Sequence, residues 1–161
     1  MPAADADGRV WRSEFRAVVG TVVLPSPFRL RGRGVFDHLY RRSRSQRLDT
    51  MVLRVAAPCP ELLHPPQPQH ADTCRLAVVV SSKVSKRAVV RNRLRRLFHE
   101  AFRRLHQRRP LPAAWLMLSL RPGAAESDPA DLLKQWTHLL HQSGLLDDDE
   151  FPGIPERGRV L

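Results

Sequence analysis

A chain of 161 residues has room for one domain with a modest core. Its formal charge of +11, from 27 Lys and Arg against 16 Asp and Glu, is too lopsided for an average enzyme and points to a polyanionic partner, most commonly nucleic acid. Two cysteines exclude a disulfide framework, and no run of about 18 apolar residues exists to cross a membrane.

The positive charge is unevenly placed. Residues 22–146 carry 22 Lys and Arg and 8 Asp and Glu, a surplus of +14, whereas the two ends together carry −3. Residues 1–21 hold Asp5, Asp7 and Glu14, lack the apolar centre of a signal peptide, and read as a poorly ordered extension of a cytoplasmic protein. Phe28 to Gly34 (FRLRGRG) reads as a flexible basic strap. Val35 to Arg42 reads as a short helix with Phe36, Leu39 and Tyr40 on one side. Those rings either pack in the core or offer a platform for unpaired bases. Arg41, Arg42, Arg44 and Arg47 follow as a basic connection.

Thr50 to Ala57 alternates as a strand, with Met51, Leu53 and Val55 on one face and Val52, Arg54 and Ala56 on the other. Residues 58–73 form a long proline-containing loop. Arg75 to Ser81 is a valine-rich strand, and a helix then runs from Arg87 or Ala88 to about Gln107, where Pro110 and Pro112 forbid continuation. From Lys83 to Arg109 there are eleven Lys or Arg and one acid, Glu100. On a helical wheel Val90, Leu94, Leu97, Phe98, Ala101, Phe102 and Leu105 share one arc, while Asn92, Arg93, Arg95, Arg96, Arg103 and Arg104 share the other. Like charges at that spacing repel, and planar guanidinium forks suit phosphate. Ala114 to Leu120 is a further strand. Asp128 and Pro129 open a last helix, with Leu132, Leu133, Trp136, Leu139 and Leu140 as its buried stripe and Gly144 as its stop. Residues 147–161 read as a disordered acidic tail.

The order of helix, strands, long helix, strand and helix predicts an α+β or α/β sandwich around one small sheet, with a parallel crossover spanning the long helix. No catalytic constellation emerges. Cys59, His64, His70 and Cys74 lack the paired short spacing of a zinc site, and no two carboxylates share a register suited to metal-assisted hydrolysis. Ser81 and Ser82 have neither a glycine elbow nor a positioned histidine. The residues describe an RNA binder without its own catalytic centre. On charge alone, a ribosomal or double-stranded RNA module is equally open, whereas a DNA reader lacks the helix that should precede Ala88.

Arg91-Asn92-Arg93-Leu94-Arg95-Arg96-Leu97, followed by Glu100-Ala101-Phe102-Arg103 and preceded by a valine strand and a Ser/Lys turn, resembles the signature of the bacterial ribonuclease P protein component. The resemblance runs from about Leu24 to Leu146. It implies a compact α-β sandwich, a four-stranded sheet packed by about three helices, with a left-handed βαβ crossover. It also implies an accessory subunit of an endoribonuclease. A catalytic RNA with its bound Mg²⁺ removes the 5′ leader of precursor tRNA, and the protein joins that RNA as a monomer in a 1:1 complex. By motif position, RNA contact falls to Lys83, Lys86, Arg87, Arg91, Asn92, Arg93, Arg95 and Arg96. A leader-binding cleft falls to Phe36, Tyr40, Arg54, Val78 and Val80. The chain departs from the family where Ser82 and Lys83 replace two lysines, where His99 replaces an arginine, and where Arg54 replaces an aromatic. Because the resemblance begins near Leu24, translation is expected to start at Val22 or Val23 through a GTG codon; N-terminal sequencing that returns Met1 disproves this.

Overall fold

The computed structural model describes residues 28–63 and 73–146. The N-terminal extension, most of the proline-containing loop, the C-terminal tail and the proposed start at Val22 or Val23 lie outside the described residues. Three helices and four strands follow in the order α1 (Arg33–Arg42), β1 (Arg44–Arg47), β2 (Met51–Ala56), β3 (Arg75–Val79), α2 (Ala88–Arg108), β4 (Trp115–Leu120) and α3 (Pro129–Gln142). The sheet order is β1-β2-β4-β3. β4 pairs parallel to β3 and antiparallel to β2, so the mixed sheet has its parallel crossover around α2 as the sequence predicts.

Alternation along the strands sorts the sheet into two faces. Met51, Leu53, Val55, Leu76, Val78, Leu116, Leu118 and Leu120 meet Leu94, Leu97, Phe98 and Phe102 of α2 and Leu132, Trp136, Leu139 and Leu140 of α3 in the larger core. Phe98 and Trp136 pack edge to face at 6.0 Å, which couples the two helices. On the other face Ala56, Ala77, Trp115 and Met117 meet Val35 and Leu39 of α1 in a second, smaller core. Both faces of the sheet therefore carry helices, and the apolar arcs of α2 and α3 read from the sequence are the ones that pack on it, whereas α1 buries Val35 and Leu39 and leaves Tyr40 exposed.

Local chemistry sets the ends of the elements. Gly32, immediately before α1, holds φ 99 and ψ 148, a region closed to residues with a Cβ. α3 opens with the Asp128 carboxylate accepting from the Ala130 amide at 2.9 Å. Thr50 donates to Gln135, tying the start of β2 to α3.

Two expectations need correction. The Arg44–Arg47 stretch is not a connection but the edge strand β1, in register with Val52–Val55. Its arginines hide an alternation that β2 completes. The Phe28–Leu30 part of the strap is held in place. Arg29 bridges Leu76 in parallel along the outer edge of β3, Leu30 is buried, and Phe28 lies edge-on to Phe102 and His106 at 6.3 and 5.0 Å. Buried Arg75 reinforces this by donating to the Arg29 carbonyl at 3.2 Å. The glycines at 32 and 34 suggest freedom, but apolar burial at 28 and 30 outweighs it.

Candidate nucleic-acid interface

The solvent-facing side of α2 and the turn before it make the first part of the site. The turn closes through the Val84 amide, which donates to the Ser81 carbonyl at 3.1 Å, while the Val84 side chain anchors in the larger core. This leaves Ser82, Lys83, Lys86 and Arg87 exposed at the head of the helix. Arg91 staples the turn to the helix, donating to the carbonyls of Ser85 at 3.0 Å and Lys86 at 3.1 Å. Arg95 donates to Asn92 Oδ1 at 2.7 Å and reaches the Val80 carbonyl at 3.4 Å. With its carbonyl oxygen so engaged, Asn92 is left with its amide N–H donors on an exposed side chain. Arg96 is exposed as well, whereas Arg91, Arg93 and Arg95 are half-buried on the flanks.

The wheel thus separates into groups with different duties. Lys86, Arg87, Asn92 and Arg96 face outward. Arg91 and Arg95 shape the turn and present what remains of their donors. Arg103 and Arg104, read from the sequence as part of the same charged face, are instead held by Glu100 at 2.8 and 3.0 Å. Glu100 is buried, and burial raises its pKa. The hydrogen bonds from Arg103 and Arg104 outweigh that, and the net result lies below the usual carboxylate range.

His99 stands on the flank that runs toward the strap. Burial, then the nearby charges of Arg29 and Arg95, hold its pKa down to about 4, so the ring is neutral at physiological pH. A base that resists protonation in the folded state makes the unfolded chain bind more protons between about pH 6.5 and 4. Stability is therefore complete above about pH 6.5 and falls as pH drops toward 4. The loss is expected to be about 1–2 kcal/mol, below the about 3 that the whole shift would give, because the ring is partly solvated. Denaturant titrations at pH 7 and pH 4.5 check this: His99→Gln should shrink the difference between the two, and an unchanged difference assigns the acid sensitivity elsewhere.

The second part of the site lies on the opposite face of the sheet. α1 is seated by His38, whose Nε2 donates to the Ala57 carbonyl at 3.0 Å while the ring packs edge-on to Trp115 at 5.6 Å. This places Phe36 against the small core, half-buried, and leaves Tyr40 57% exposed. The Arg54 guanidinium sits over the Tyr40 ring at 5.2 Å from its centroid. Of the aromatic pair, Phe36 packs on the smaller core, whereas the Tyr40 ring stays exposed with Arg54 over it.

Beyond the end of α1 the sheet is left partly open. Arg47, Val52, Ser119 and Val79 form one row across β1, β2, β4 and β3, and the last three are half-buried, whereas Ala77 and Met117 of the next row are buried. Val78 and Val80, assigned to the cleft by motif position, are not part of this surface. Both are buried in the larger core on the α2 side, because one residue along a strand reverses the face. Val79 takes their place. Sequence reasoning also passed over Arg29, Arg75 and Ser119, whose roles depend on which strand lies beside which.

The open row ends at Val79, two residues before the turn that carries the α2 surface, so the two parts of the site meet at the end of β3. Among the described residues no group of three or more His, Cys, Asp or Glu side chains is placed to hold a metal ion. Cys74 is buried, and burial pushes its thiol up to about 12, while Cys59 donates to the Glu61 carboxylate at 3.0 Å. His64 and His70 lie outside the described residues.

Residues 24–144 match the protein-family model described as Ribonuclease P. The ribonuclease P protein component of Synechococcus sp. (strain RCC307) is 51% identical over 126 residues, which cover 78% of this chain and 99% of that protein. The same component from Prochlorococcus marinus (strain MIT 9313) is 46% identical over 132 residues, covering 78% and 99%. Among solved structures, the RNase P protein of Staphylococcus aureus superposes with a TM-score of 0.61 at 20% identity, covering 74% of this chain and 98% of that one. The Thermotoga maritima RNase P protein gives 0.57 at 24% identity, covering 71% and 96%. The structural likenesses show a shared fold, and the sequence matches go further: this chain belongs to the ribonuclease P protein component family, which serves tRNA processing.

Proposed function

We propose that the protein is the accessory subunit of a ribonuclease P in which RNA performs the cleavage. In this reading the exposed α2 surface, with Lys83, Lys86, Arg87, Asn92 and Arg96 outermost, holds the catalytic RNA. The open sheet face beside Tyr40 and Arg54 holds the single-stranded 5′ leader of precursor tRNA. The observation that carries it is the pairing of an arginine-bearing, solvent-facing helix face with a separate, half-open sheet surface bearing one exposed aromatic ring with an arginine over it. A module that bound folded RNA alone would need only the former.

The division of labour follows from the side chains. Arginine forks and the Asn92 amide suit the fixed phosphate geometry of folded RNA. Tyr40 can stack on a base of any identity, and Arg54 beside it can meet a phosphate, which fits a leader of variable sequence. Mg²⁺, required to activate the attacking water and stabilise the leaving oxygen, would be bound by the catalytic RNA and its substrate. In this reading the contribution of the protein is to bind and orient.

Reconstitution with ribonuclease P RNA at low Mg²⁺ tests this. Added protein should raise cleavage of precursor tRNA and should strengthen its binding over mature tRNA. Unchanged cleavage defeats the proposal; equal strengthening of both tRNAs favours a general RNA-binding module instead. Within that assay Tyr40→Ala should weaken precursor binding by about 1–3 kcal/mol while sparing mature tRNA. Since Tyr40 is exposed, its circular dichroism and melting should match the parent.

A further inference from the structure

Among the described residues two large apolar side chains are exposed, Tyr40 at 57% and Val89 at 70%. Tyr40 belongs to the open sheet face, whereas Val89 stands in the first turn of α2 beside Ala88, which is exposed as well. The next residue, Val90, turns inward and packs against the larger core.

A solitary valine on a surface is common and by itself calls for no explanation. Its position gives this one a meaning. Residues 89, 92 and 96 fall at i, i+3 and i+7, so Val89 heads the stripe that continues through Asn92 and Arg96, both of which face outward. Lys86 and Arg87 stand just ahead of it, also exposed. A surface built for phosphate alone would carry lysine or arginine at 89, and either is a better helix former than a β-branched residue. Neither the core nor the local helix therefore accounts for valine here, and the stripe keeps an apolar position among its donors.

RNA offers such a position one fitting surface. Its phosphates are met by the cationic side chains, and its apolar area lies on the faces of the bases. Within a paired A-form helix those faces are stacked away, and they become reachable where a nucleotide is unpaired. We propose that Val89 seats an unpaired base of the catalytic RNA, whose flanking phosphates are taken by the neighbouring lysine and arginine side chains. This rests on the reading of α2 as the surface that holds the catalytic RNA. It adds a contact that senses whether a base is splayed out, which phosphate contacts do not.

The test compares Val89→Ala, Val89→Thr and Val89→Ile with the parent protein in binding to ribonuclease P RNA over a range of salt concentrations. Alanine deletes apolar surface but favours the helix, so the melting temperature should hold or rise. Binding should nevertheless weaken about three- to tenfold, as expected for the loss of one to two buried methyl groups. The salt slope should stay parental, because no phosphate contact is removed. Val89→Thr, which keeps the shape and adds a hydroxyl, should weaken binding too, whereas Val89→Ile should bind as the parent does. In the complex, acylation of RNA 2′-hydroxyls should reveal an unpaired nucleotide that the parent and Val89→Ile protect and Val89→Ala leaves reactive.

Parental affinity in Val89→Ala overturns the proposal and leaves the valine a solitary surface residue. A slope lowered by about 0.7–0.9 unit would show that a phosphate contact had been lost instead, and overturns it as well. So does a reactivity pattern unchanged at every unpaired nucleotide, since the valine then meets some other surface. A parent protein that does not bind ribonuclease P RNA removes the reading of α2 itself, and this proposal with it, before any variant is compared.

Discussion

Phe102→Ala is expected to lower stability by about 3–5 kcal/mol, a loss of on the order of 10–15 °C in melting temperature for a domain of this size. Phe102 is fully buried in the larger core, and its ring stacks on His106 at 6.0 Å. It also receives the edge of Phe28, so the cavity left by alanine would loosen the strap as well as the core. Arg29, held on the outer edge of β3 by that strap, would lose its place beside His99. Thermal melting measures the first effect, and faster hydrogen exchange at residues 28–30 than in β2 reads the second. Phe102→Leu, which keeps most of the volume, should recover the larger part of both. A melting temperature within a degree or two of the parent would mean that the strap and α2 do not share this core.

The other large effect is on assembly rather than stability. Arg87→Gln/Arg96→Gln should weaken binding to ribonuclease P RNA by about tenfold or more, and should flatten the salt dependence by about 1.4–1.8 units. Both side chains are exposed and, among the described residues, neither is bonded within the protein. Their removal should therefore leave stability within about 0.5 kcal/mol of the parent. Arg103→Gln is the informative contrast. Its guanidinium is already engaged by Glu100, so its loss should cost stability and leave the salt slope nearly unchanged. Should Arg87→Gln/Arg96→Gln keep the parental slope, the outer face of α2 is not the phosphate contact. The flank bearing Arg91 and Arg95 would then be the first alternative.

These contrasts show how far a wheel can be trusted. It assigns Leu94, Leu97, Phe98 and Phe102 to the core because a helix repeats every 3.6 residues whatever surrounds it. It cannot say which arginines on the other arc are free. Glu100 claims two of them, the Val80 carbonyl claims part of Arg95, and the carbonyls of Ser85 and Lys86 hold Arg91 beside the arc. Those partners are fixed by the turn and by close neighbours, and a count of charges does not register them.

The chain by itself determines the charge surplus, the helix and strand periods, the caps at Asp128 and Gly144, and the Arg91–Arg96 motif that reveals the family. All of these are local, set by neighbours within one or two turns. Tertiary structure alone decides that residues 44–47 are a strand, since an edge strand takes its identity from the partner it pairs with. It decides that Val79, not Val78 or Val80, lies on the open face, because strand register is a relation between β3 and β4. It also decides that the strap is anchored and that Tyr40 meets Arg54, contacts between residues far apart in the chain, which packing supplies and periodicity does not.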